Sequence, residues 1–138
     1  MSHLDGWELK EEWRRRSADF CVTVTRHVAE PHDGCGIHRW CVYVYCYTEH
    51  HLFSDWVRRE SMGDFGDTPL NWYASFRRIW TNEAGEPASV QVGADYNHLG
   101  DDEMTHVERA EDAGRVFRDA ARLFDWMTAQ AAPPKDGG

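Results

Sequence analysis

HRWCVYVYCYT, residues 38–48, decides the fold. Trp40, Val42, Val44 and Cys46 alternate with Cys41, Tyr43, Tyr45 and Tyr47, the period-two pattern of a strand with two unlike faces. Upstream, DFCVTVTRHV at 19–28 alternates in the same way. Phe20, Val22, Val24 and Val28 share one side; Cys21, Thr23, Thr25 and His27 share the other. The intervening AEPHDGCG carries Pro31 and Asp33-Gly34, which is loop chemistry, so the two strands are expected to form an antiparallel hairpin. Matching their apolar faces places Cys21 on the side of Cys41 and the tyrosines, with Cys46 opposite. A Cys21–Cys46 disulfide would need a one-residue slip that buries the wrong set of side chains.

A second hairpin is expected over 72–80 and 88–96, turning at NEAGEP. Its expected apolar face joins Ala74, Phe76 and Trp80 to Val90, Val92 and Ala94, leaving Ser75, Arg77, Gln91 and Asp95 on the other. HHLFSDWVRRE at 50–60 puts Leu52, Phe53, Trp56 and Val57 at helical spacing, and a Gly/Asp/Pro-rich loop follows. DGWELKEEWRRR at 5–16 reads as a short helix with Leu9 and Trp13 on one face and the arginines at its C-terminal end. Near 110–130, Val116, Phe117, Ala120, Ala121, Leu123, Phe124 and Met127 make a broad apolar stripe. Arg115, Arg118, Asp119, Arg122 and Asp125 lie opposite.

The order predicts an α+β domain over 1–130: a four-stranded, mainly antiparallel sheet of two hairpins, helices packed on one face, and a C-terminal amphipathic helix. Residues 131–138 are expected to be a disordered tail. The tyrosine stripe is then either covered by the N-terminal helix or left as a docking surface.

Composition narrows the function. The chain has 138 residues with 24 acidic and 15 basic side chains, a formal net charge of −9. That size predicts one domain. A mean hydropathy of −0.70 and no long apolar run exclude a membrane-spanning helix. MSHLDGWELK has no secretory-signal pattern, so the expected location is the cytoplasm and the four cysteines are expected to be reduced. General nucleic-acid binding needs clustered Lys and Arg, and the overall acidity argues against it. Seven Trp in so short a chain either plug a thin, single-layer core or leave some rings half exposed at an interface.

Two constellations could hold a metal. In SVQVGADYNHLGDDEM at 89–104, Gly93 marks a bulge or a close backbone approach. Asp95, Asn97, His98, Asp101 and Asp102 cluster where that strand ends, donors that suit a divalent ion or acid–base work. The same run is also ordinary turn chemistry. His32, Cys35, His38 and Cys41 are zinc-type residues at spacings of three, but positions 38 and 41 of one strand face opposite ways. His50-His51 reads as a loop pair. The balance predicts no cofactor.

Charge position carries more. Residues 95–112 hold Asp95, Asp101, Asp102, Glu103, Glu108, Glu111 and Asp112 against Arg109 alone. Such a run is either an ordinary solvated face or an edge whose negative field steers a basic partner towards it.

RWCVYVYCYTEHHLF at 39–53, SVQVGADYNHLGDDEM at 89–104 and AEDAGRVFRDAARLFDWM together resemble a group of small, uncharacterised proteins of proteobacteria and their phages, with VGADYNHL the most specific part. The group implies no catalytic residues. It implies a setting in which small acidic proteins are often inhibitors of host machinery, anti-CRISPR proteins among them. The expected function is therefore an acidic protein-binding module that occupies a basic, nucleic-acid-handling surface of a host protein, with no direct contact to nucleic acid or membrane. Asp95, Asp101, Asp102, Glu103 and Glu108 would supply charge, and Tyr43, Tyr45 and Trp72 apolar anchors. The alternative is a small metal-binding protein or metal-dependent enzyme at the 95–102 loop, with Asp95, His98 and Asp101 as ligands.

Overall fold

A computed structural model describes residues 3, 8–9, 12–30, 36–60, 65, 68–69, 74–96 and 102–131. The strands are β1 (Glu8–Leu9), β2 (Trp13–Arg16), β3 (Phe20–Val28), β4 (His38–Tyr47), β5 (Phe76–Thr81) and β6 (Pro87–Asp95). The helices are α1 (Phe53–Arg58) and α2 (Gly114–Ala131), the latter preceded by 3-10 turns at Asp102–His106 and Ala110–Asp112. The result is an α+β domain with an open antiparallel sheet in the order β1-β2-β3-β4-β6-β5. Five strands are substantial and β1 adds a two-residue bridge at one edge. The C-terminal helix packs on this sheet against β3 and β4.

The β3–β4 hairpin has the register that its apolar alternation demands: Phe20 pairs with Cys46, Val22 with Val44 and Val24 with Val42. All six are buried, and Val90, Val92 and Ala94 of β6 extend the same face. Trp56 of α1 and Val116, Phe117, Ala120, Leu123 and Met127 of α2 close over it. Both helices thus pack on one face. Cys21, Cys41 and Cys46 are free thiols, with Cys21 facing away from Cys46 across the sheet. Burial and the nearby Asp19 charge push the Cys46 thiol up to about 12.

Within the expected helix over 5–16, the described residues instead form strands at Glu8–Leu9 and Trp13–Arg16. Trp13 pairs with Val24 and Arg15 with Val22, so both face the helix layer. There the Trp13 ring meets Trp40 at 5.8 Å and Phe117 edge-on at 5.7 Å. Arg15 lies 5.3 Å from the centre of the Phe124 ring. Period two therefore beats period 3.6 here, because pairing covers the long free edge of β3 while seating an indole in the core. The sheet gains a strand that the four-stranded expectation lacked.

The second hairpin forms, but β5 has the opposite facing. Arg77 pairs with Val92 and Ile79 with Val90, on the core side, whereas Phe76 pairs with Gly93 and Trp80 with Ser89, on the outer side. The physical reason is a helix terminus. Arg77 reaches the end of α1, where its guanidinium donates to the Val57 carbonyl at 2.9 Å and the Trp56 carbonyl at 3.3 Å. Carbonyls at a helix C-terminus have no intrahelical partner and favour a cation.

At the top of the sheet, the Gly36 N–H donates to Thr105 Oγ1 at 2.7 Å. The Trp40 indole donates to the Val107 carbonyl at 2.9 Å, tying the segment before α2 to β4. His50, read as a loop residue, is buried. Its Nδ1 accepts the Leu52 N–H at 3.0 Å, so Nε2 carries the proton and donates to the Met127 carbonyl at 3.1 Å.

Candidate functional site

Among the described residues, the elements that pack on the sheet all lie on its core face. The opposite face carries the side chains that alternate away from the core. β2 supplies Arg14 and Arg16, β3 Cys21 and Thr23, β4 Tyr43, Tyr45 and Tyr47, β6 Gln91, Gly93 and Asp95, and β5 Phe76, Arg78 and Trp80. Tyr43 and Tyr45 thus sit where the strand pattern placed them, and the N-terminal segment that was expected as a possible cover is itself part of the sheet.

The aromatic rings are half exposed and partly self-supporting. Tyr43 and Phe76 stand edge to face with centroids 5.4 Å apart. The Trp80 indole donates to Gln91 Oε1 at 2.8 Å, and the Arg78 guanidinium lies 3.7 Å above its ring. Phe76 is 37% and Trp80 39% exposed, against complete burial of Trp40 and Trp56. The surplus of tryptophan is therefore divided between core and surface.

At the β2 side of this face a shallow pocket of about 280 Å³ opens between Glu12, Arg14, Arg16 and the tyrosines Tyr45 and Tyr47, with Cys21 and Thr23 beneath. Arg14 Nε donates to Glu12 Oε2 at 3.2 Å. Burial raises the Tyr45 and Tyr47 phenols above their ordinary values, with the Glu12 charge adding to the first. Both remain neutral hydrogen-bond donors at physiological pH. Sequence reasoning missed Arg14 and Arg16 as site residues because it wound them into a helix. The local pattern of Trp13-Arg14-Arg15-Arg16 carries no signal that could have found them, since three consecutive arginines show no alternation.

The acidic residues lie elsewhere. Glu103, Glu108, Glu111 and Asp112 are exposed on the segment before α2, which belongs to the helix layer. Glu103 lies 3.9 Å from Arg115 and Glu111 lies 3.5 Å from Arg109. Among the described residues of the acidic run, Asp95 alone stands on the aromatic face, beside Cys41, and its backbone N–H donates to Ser75 Oγ at 3.3 Å. Burial pushes the Cys41 thiol up, and the Asp95 charge adds to it. The next residue, Tyr96, is buried on the core side, where its hydroxyl donates to Asp119 at 2.6 Å. Among the described residues, Glu103 and Glu108 are thus on the other side of the sheet from the tyrosine anchors with which they were expected to act, and Asp95 is on the same side.

Trp72, Asn97, His98 and Asp101 lie outside the described residues, as does the side chain of Asp102. So do His32 and Cys35 of the zinc-type spacing. Its other members diverge: His38 is on the core side, with Nδ1 3.0 Å from Arg26, and Cys41 is on the outer side. No group of three or more His, Cys, Asp or Glu that could hold a metal occurs among the described residues. No described helix is long and apolar enough to cross a membrane. Comparison with protein-family models, with curated proteins and with solved structures finds no match to the chain.

Proposed function

We propose that the protein is a binding module that engages a partner protein with the outer face of its sheet. The observation that carries this reading is the aromatic set Tyr43, Tyr45, Phe76 and Trp80, half exposed on a face against which no described helix packs. Such rings bring large apolar area with few rotamers to lose, and tyrosine and tryptophan keep a polar tip that stays satisfied at an interface. Arg78 over Trp80 and Arg14 across the face suit a partner whose apolar patch is edged with carboxylates.

A second reading keeps the acidic segment as the contact, an inhibitor that covers a basic, nucleic-acid-handling surface. It is favoured by the exposure of Glu103, whose side chain is 77% accessible, and of Glu108. The arginines close by weaken it, since they neutralise part of the field such a contact needs.

Capture of partners from the native host, at low and high salt, separates the two. Loss of a captured protein with Phe76→Ser/Trp80→Ser, and not with Glu103→Lys/Glu108→Lys, supports the sheet face. The reverse pattern, with strong salt dependence, supports the acidic segment. A folded Phe76→Ser/Trp80→Ser variant that captures as the wild type does would sink the first reading.

A further inference from the structure

We infer that the pocket between β2 and β4 is an oxyanion site that takes the phosphate group of a small ligand, gripped by Arg14 and Arg16 with the hydroxyls of Thr23, Tyr45 and Tyr47, and that Glu12 is its built-in competitor. The inference goes beyond the docking reading: the site shares Arg14 and Tyr45 with that face but needs neither Phe76 nor Trp80, which lie on the far side of β4, and phosphate binding is read without a protein partner.

The strand register builds the site. Arg14 and Arg16 are two apart on β2, so both side chains stand on the outer face, beside Thr23 and Cys21 respectively. Tyr45 stands across from Cys21 on β4, and Tyr47 follows on the same side. The pocket these residues line, about 280 Å³, is just below the roughly 300–1,000 Å³ of drug-sized ligand sites and fits a small anion.

Three features point to phosphate. The first is donor type: among the described residues that line the pocket, the cationic groups are the guanidinium groups of Arg14 and Arg16. Guanidinium forks match phosphate and carboxylate oxygens. The second is donor number. Two guanidinium groups and three hydroxyls outnumber what a carboxylate can accept, whereas a phosphate monoester presents three terminal oxygens. The third is an unanswered hydroxyl. Thr23 is 2% exposed and lines the pocket, and its Oγ1 has no hydrogen-bond partner among the described residues. A buried hydroxyl in that state is a cost that an arriving acceptor removes. Glu12 occupies part of the same space by accepting from Arg14 Nε, as an internal anion would. A ligand must displace it, so the site is expected to bind weakly until Glu12 is removed.

Titration with inorganic phosphate, followed by amide chemical shifts at constant ionic strength with chloride as the reference, tests this on the full chain. Phosphate is expected to move the amides of residues 14–16, 21–23 and 45–47, and chloride is not. Glu12→Gln is expected to tighten binding several-fold, and Arg14→Gln to weaken it about tenfold or more, the scale of one charge-assisted hydrogen bond. Tyr47→Phe, which keeps the ring, is expected to weaken it less. Phenyl phosphate is the second probe: tighter binding than inorganic phosphate assigns an esterified ligand, tighter inorganic phosphate assigns the free ion, and both support the site. Absence of phosphate-specific shifts, or identical affinities in wild type, Glu12→Gln and Arg14→Gln, overturns the inference. Should Arg14→Gln fail to fold, Glu12→Gln and Tyr47→Phe still decide it.

Discussion

Tyr43 and Phe76 meet over Gly93. The glycine sits on β6 directly between them in the pairing, and their ring centroids are 5.4 Å apart at an interplanar angle of 69°. Strands separated by one other strand are about 9.6 Å apart, so the rings close that gap by leaning into the space a side chain would fill. Gly93 is the close approach its place in the strand suggested, and it sets the shape of the aromatic face.

Gly93→Ala follows as the first prediction. A Cβ there would collide with the Tyr43 ring and lie 2.5 Å from the Val42 carbonyl oxygen. Because the backbone cannot give way, the expected loss is about 2 kcal/mol or more, a fall of roughly 8 °C in Tm for a domain of this size. Intrinsic tyrosine fluorescence should change with it. A variant as stable as the wild type would mean that Tyr43 is free to swing away.

Arg77→Leu keeps the aliphatic stem on the core side and deletes the donors to Val57 and Trp56. The expected cost is roughly 1–2 kcal/mol. Hydrogen exchange should accelerate first in Phe53–Arg58, since that six-residue helix lacks a side-chain N-cap and depends on its other end. Uniform acceleration across the sheet would contradict this local role.

Tyr96→Phe removes the 2.6 Å hydrogen bond to Asp119 from a ring that is 1% exposed. The bond is charge-assisted and part-buried, so about 1.5–3 kcal/mol should be lost. Adding Asp119→Ala to Tyr96→Phe should cost less than the two single changes added together, which a double-mutant cycle by urea denaturation would measure.

Alkaline pH should destabilise the fold. The Cys46 thiol titrates from an ordinary value of 9.0 to about 12 in the folded protein, and burial raises the Tyr43 phenol as well. Between these values the unfolded chain has released a proton that the folded chain keeps, so folding stability falls as pH rises. It is fully present below about pH 9 and declines by about 1.4 kcal/mol per pH unit for each such group. Thermal melts between neutral pH and pH 11 should stay level, then drop. Thiolate absorbance from Cys46 appearing near pH 9 in the folded state would refute the assignment.

The alternations in 19–28 and 38–48 were sufficient by themselves for the central hairpin, the matching of its apolar faces and the division of its cysteines. A one-residue slip would have exposed Val22, Val24, Val42 and Val44. The apolar stripe of α2 was legible for the same reason: burying a whole face leaves one periodic answer. Where a segment had charged residues on both sides of its pattern, the tertiary structure decided. Trp13-Arg14-Arg15-Arg16 carries no apolar alternation of its own. It became a strand because β3 had an edge to pair and the core had room for one indole. Phe76-Arg77-Arg78-Ile79-Trp80 could face either way, and carbonyls at the end of a helix twenty residues upstream drew Arg77 inward and turned Phe76 and Trp80 outward. The sequence also located the acidic run but could not place Glu103, Glu108, Glu111 and Asp112 on the helix layer, away from the tyrosines. Local pattern determines an element when one face must leave water. Which way a strand with two tolerable faces turns is determined by groups distant in the chain that its side chains satisfy.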